Sequence, residues 1–122
     1  MCCGGSGGIS KAQVTPQALT VTTNATTFNC GGKVLKNATV AHNGTTLALT
    51  VSNTVTGGYY SILVTKNTAS NLTITPNSGS MVVNAGAGII VLSGASGSVH
   101  LINFRNFGGV LYFDYGQTYT AA

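Results

Sequence analysis

Asp114 is the only carboxylate side chain in the sequence, His42 and His100 are its only imidazoles, and Cys2, Cys3 and Cys30 its only thiols. Acid–base chemistry by paired carboxylates needs two such groups, so it is excluded by count. A cation site built from oxygen ligands fails for the same reason. A Ser-His-Asp set would have to join His42 or His100 to Asp114. Asp114, however, sits in the aromatic run Tyr112-Phe113-Asp114-Tyr115, and no Gly-x-Ser-x-Gly elbow occurs. Cys30, His42 and His100 supply too few ligands for zinc, and no spacing recommends pairing Cys30 with His100. Asn84-Ala85-Gly86-Ala87-Gly88 shares only its composition with a phosphate-binding loop and reads as a turn. These residues predict no enzyme, no cofactor and no metal.

Binding is the chemistry that remains. Tyr59, Tyr60, Tyr112, Tyr115 and Tyr119 stand among Asn and Thr, and such rings either stack on sugars or belong to a core or an interface. Tyr115 and Tyr119 are the candidates for a surface or glycan contact. The net charge is +4, but its five Lys and Arg residues are scattered singly, so no cationic track for nucleic acid forms. Four Asn-x-Thr triplets, at Asn24, Asn37, Asn43 and Asn71, match the glycosylation pattern at the frequency expected in a chain rich in Asn and Thr.

The elements that must carry these residues are strands. Thr favours strands, whereas Asn, Ser and Gly favour turns, and no stretch repeats apolar residues at helical spacing. Leu47, Leu49 and Val51 alternate with Thr46, Ala48 and Thr50, and Tyr60, Ile62 and Val64 alternate with Tyr59, Ser61 and Leu63. That period of two marks half-buried strands. Asn43-Gly44 reads as a hairpin turn, and Gly57-Gly58, Pro76-Asn77-Ser78-Gly79, Gly94, Gly97 and Gly108-Gly109 punctuate the rest. About nine or ten short strands result, an all-β antiparallel β-sandwich with jelly-roll-like winding. It occupies residues 11–122 as one domain, after a Cys/Gly/Ser-rich tail over residues 1–10.

Two strands lack a polar face. Ile89, Ile90, Val91 and Leu92, and again Val110, Leu111, Tyr112 and Phe113, are apolar on both sides. A two-layer sandwich buries one face per sheet, so a second apolar face calls for a further layer, most simply a sister subunit. Cys2 and Cys3 are adjacent and do not bridge one another. They are an anchor to subunits or a host particle, an engineered conjugation tag, or inert thiols; Cys30 is expected to be a small buried hydrophobe. No secretory signal or run of ~18 apolar residues appears, so synthesis in a cytoplasm and no membrane insertion are expected.

Gly58-Tyr59-Tyr60-Ser61-Ile62-Leu63-Val64-Thr65-Lys66-Asn67, Asn71-Leu72-Thr73-Ile74-Thr75-Pro76, His100-Leu101-Ile102-Asn103-Phe104 and Leu111-Tyr112-Phe113-Asp114-Tyr115 follow one another in the C-terminal half. This order resembles a β-sandwich module of bacteriophage structural proteins, found in head fibres, tail fibres and capsid decorations. The family often carries a Trp after its "ITxP" strand or in the last strand, and this chain has none. The resemblance implies a homotrimer displayed on a virion, with the N-terminal tail docking onto capsid or tail proteins. The alternative from the residues is a non-catalytic carbohydrate-binding or adhesin module.

Overall fold

The computed structural model describes residues 11–76, 81–83 and 88–119. After one helical turn, α1 (Lys11–Val14), the chain is all β: β1 (Gln17–Ala18), β2 (Ala25–Asn29), β3 (Leu35–His42), β4 (Thr46–Ser52), β5 (Tyr59–Lys66), β6 (Leu72–Pro76), β7 (Met81–Val83), β8 (Ile90–Leu92), β9 (Ser98–Phe107) and β10 (Val110–Tyr119). Alternation works as read. Leu47, Leu49 and Val51 face inward from β4, and Tyr60, Ile62 and Val64 from β5.

The strands form two mixed sheets, β1-β3-β5-β9-β10-β7 and β2-β4-β6-β8. From β1 to β6 the chain visits the two sheets alternately. Its neighbours within each sheet therefore run parallel: β1 with β3, β3 with β5, β2 with β4, and β4 with β6. Antiparallel pairing is confined to β5–β9, β9–β10 and β6–β8. The expectation of an antiparallel sandwich is corrected accordingly. A period of two reports that a strand has one buried face and is silent on the direction of its neighbour. The misleading signal is Asn43-Gly44, which carries the chain from β3 in the larger sheet to β4 in the smaller one instead of pairing them. Jelly rolls share the alternation between sheets but pair their neighbours antiparallel.

The inner faces of both sheets contribute to one apolar core. Phe28 of β2 meets Tyr60 and Phe104 edge-on at 6.4 and 6.0 Å, and Phe104 stacks on Phe113 at 4.6 Å. Tyr60 is fully buried, which removes it from the sugar-stacking candidates. Its hydroxyl donates to the Lys33 carbonyl at 2.6 Å and accepts from the Val55 N–H at 3.0 Å, so its polar end is satisfied. Gly58 makes room for it: a Cβ there would lie 2.1 Å from the Tyr60 hydroxyl.

Candidate functional site

The outer faces of the two sheets differ in chemistry. On the smaller sheet, the outward positions of β2, β4 and β6 are Ala25, Thr27, Asn29, Thr46, Ala48, Thr50, Ser52, Thr73 and Thr75. On the larger sheet, the register aligns Leu35, Tyr59, Arg105 and Tyr112 across β3, β5, β9 and β10. The Arg105 guanidinium lies over the Tyr59 ring at 5.6 Å and over the Phe107 ring at 5.0 Å, and Phe107 meets Tyr112 edge-on at 5.8 Å. Tyr59, Phe107 and Tyr112 are 41%, 56% and 47% exposed. Alternation along β9 aligns Asn103, Arg105 and Phe107 on this side while His100, Ile102 and Phe104 turn inward.

The next row of this face is polar: Asn37, Ser61, Asn103 and Asp114, with the Ser61 hydroxyl donating to Asn103 Oδ1 at 2.7 Å. Apolar character returns beyond it, where Leu63 and Leu101 pair, and with Pro16, Thr39 and Ser61 they line a shallow groove of about 260 Å³. The outer face of the larger sheet thus carries two apolar patches parted by a polar row.

The eight residues singled out for a subunit contact divide. Ile90, Leu92, Leu111 and Phe113 are buried in the chain's own core. Ile89 and Val110 are half-buried, and Val91 and Tyr112 face outward. Val91 belongs to the smaller sheet and Tyr112 to the larger, so the two strands do not present one patch. Tyr112 alone joins the aromatic cluster, to which the structure adds Tyr59, Arg105 and Phe107. The signal for Arg105 and Phe107 was their alternation with Phe104 and Asn106. Tyr115 and Tyr119 lie on β10, opposite Ile102 and Val99 in register, but their side chains fall outside the described residues. So do Cys2 and Cys3.

The sparse chemical groups do not converge. Asp114 is exposed on the outer face, whereas His100 is buried on the inner face of the neighbouring strand. Cys30 is fully buried, and desolvation pushes its thiol up to about 12 against a small opposing pull from Lys36. Among the described residues, no three of His, Cys, Asp and Glu come together as a metal site would require, and no helix is long and apolar enough to cross a membrane.

One end of the inner face is polar. His42, Lys66 and Ser98 share a register row across β3, β5 and β9, and all three are buried. The Lys66 ammonium donates to the Thr68 carbonyl and, at 2.6 Å, to the Gly94 carbonyl, which ties two loops together. Ser98 Oγ and His100 Nε2 share a hydrogen bond of 3.0 Å. Above this layer opens a cleft of about 490 Å³ lined by Val21, Thr23, Asn24, Ala41, His42, Asn43 and Asn67. Its rim is a tight turn closed by reciprocal Thr22–Ala25 backbone bonds of 2.8 and 3.0 Å, with Thr23 and Asn24 at φ 52° and 59°. A β-branched residue held there costs about 1–2 kcal/mol.

Comparison with known proteins finds no match to a family model, to a curated sequence or to a solved structure.

Proposed function

We propose that this chain is a non-catalytic structural protein of a bacteriophage virion, a head fibre, capsid decoration or fibre tip built as a homotrimeric β-sandwich. The observation that carries the assembly reading is the exposed cluster of Tyr59, Arg105, Phe107 and Tyr112 on one outer face, set against the Thr- and Ala-rich opposite face. A trimer buries the aromatic face against sister chains and leaves the threonine face to solvent. The virion setting rests on the sequence resemblance over residues 58–115. In that setting the Cys/Gly/Ser-rich tail docks onto capsid or tail proteins, and the protein is made in the host cytoplasm before assembly.

Light scattering of the purified chain at micromolar concentration tests the assembly. The expected particle has three times the chain mass of 12.3 kDa, and a uniform monomer overturns it. The genetic setting tests the rest: capsid and tail genes beside this one are expected, and a metabolic operon counts against a virion role. A second reading, a saccharide-binding or adhesin module, is compatible with the first and draws on the polar cleft.

A further inference from the structure

We infer that the cleft beside His42 is a binding site for an uncharged, hydroxyl-rich ligand, a neutral saccharide unit. The inference deepens the saccharide-binding reading and is independent of trimer formation. Four features carry it. The cleft is lined by the carboxamides of Asn24, Asn43 and Asn67, the Thr23 hydroxyl, the His42 imidazole and the apolar Val21. Among the described residues no hydrogen bond engages the three side-chain amides, so each keeps donors and an acceptor for a ligand.

No charged side chain lines the cleft. Lys66, the nearest cation in sequence to Asn67, directs its ammonium at the Thr68 and Gly94 carbonyls. An ionic ligand would therefore meet no counter-charge, whereas alternating hydroxyls match amides that both donate and accept. Val21 offers an apolar patch for a C–H face.

The walls are held in place. The His42 ring donates from Nε2 to the Thr46 carbonyl at 2.7 Å, which leaves Nδ1 as an acceptor in the neutral ring. The Asn24 carbonyl accepts from the Ala48 N–H at 2.8 Å, and the Asn67 N–H donates to the His42 carbonyl at 2.8 Å. Gly44 keeps the space beside them: a Cβ there would lie 2.8 Å from His42 Nε2 and 3.1 Å from Asn24 Oδ1. The turn also holds Thr23 where Gly would be unstrained, keeping a hydroxyl at the rim.

The test is a titration of the isotopically labelled protein with neutral gluco-, manno-, galacto-, rhamno- and N-acetylglucosamine oligosaccharides, followed by amide resonances. At least one is expected to give saturable shifts at Asn24, Asn43 and Asn67. Asn43→Ala is expected to weaken binding about tenfold, as one lost hydrogen bond does. Gly44→Ala should also weaken it, by displacing His42 and Asn24, while the core resonances of Phe28 and Phe104 stay in place. No saturable shift with any of these sugars up to ~10 mM, the weak limit for a specific site, overturns the inference. Shifts confined to Tyr59, Arg105 and Tyr112 also overturn it, but leave saccharide binding itself standing at a different surface.

Discussion

The Lys66 ammonium and the His100 imidazole share the buried inner face of the larger sheet, one register row apart on β5 and β9. Desolvation first, and the lysine's charge second, hold His100 below the ordinary imidazole range. The folded protein therefore keeps His100 neutral where the unfolded chain takes up a proton.

A consequence for acid stability follows from that difference. Below the ordinary value of 6.5 the unfolded state binds more protons at this position than the native one. Stability is complete above that pH and is lost as pH falls through the window between 6.5 and the depressed native value. Denaturant midpoints measured from pH 8 downward should fall through that window, and His100→Gln should flatten the fall. A midpoint that rises on acidification contradicts the arrangement. Lys66→Met removes the second cause and both hydrogen bonds from the ammonium to the Thr68 and Gly94 carbonyls. It is expected to cost about 2–4 kcal/mol at neutral pH.

Gly58 and Tyr60 form a second coupled pair. Gly58→Ala drives a methyl into a hydroxyl that two backbone groups hold, so the ring cannot retreat without breaking them. A loss of about 2–3 kcal/mol is expected. Tyr60→Phe leaves the Lys33 carbonyl and Val55 N–H without that partner, at about 1–2 kcal/mol. Combined, the two changes should cost less than their sum, because phenylalanine removes the closest contact and frees the ring, whose Cζ and Cε2 still lie 2.6 and 2.8 Å from the added methyl, to shift. Strict additivity in urea unfolding would show that the two side chains do not meet.

Cys30 is predicted to be inert in the native state. Its thiol is fully buried and pushed up to about 12, so almost no thiolate exists near neutral pH. In a Cys2→Ser, Cys3→Ser variant, an aromatic disulfide reagent should label the remaining thiol only as fast as the chain unfolds. Rapid stoichiometric labelling without denaturant would contradict the burial.

Strand identity was legible wherever one face was apolar and the other polar, as in Thr46–Ser52 and Tyr59–Lys66, because the pleat converts alternation directly into burial. Strand direction was not, since Asn-Gly serves a hairpin and an arch between sheets equally well. The apolar run Val110–Phe113 signalled an apolar residue on the outer face, and Tyr112 stands exposed there. It could not reveal that Leu111 and Phe113 are buried in the chain's own core, nor that Val91 faces the opposite way. The cleft was hidden for another reason. Asn24, Asn43 and Asn67 are 19 and 24 residues apart in sequence; the parallel winding of β3 beside β5 brings the loops of Asn43 and Asn67 to one end, and the turn before β2 adds Asn24 from the other sheet.

Substitutions around Arg105 test the proposed assembly apart from folding. It is exposed, with its guanidinium over Tyr59 and Phe107, and exposed cation–ring contacts are worth about 0.5–1 kcal/mol. Arg105→Ala should therefore lower the monomer's stability only slightly. The same is expected of Phe107→Ser with Tyr112→Ser, because both rings lie outside the core. In a sister-chain interface these residues act differently, since burying aromatic and arginine side chains dominates contact energies and truncation there commonly costs about 2 kcal/mol or more. The double serine variant is expected to run as a folded monomer at concentrations where the parent is a trimer, with its circular dichroism unchanged. A variant that still assembles fully would move the subunit contact away from this face.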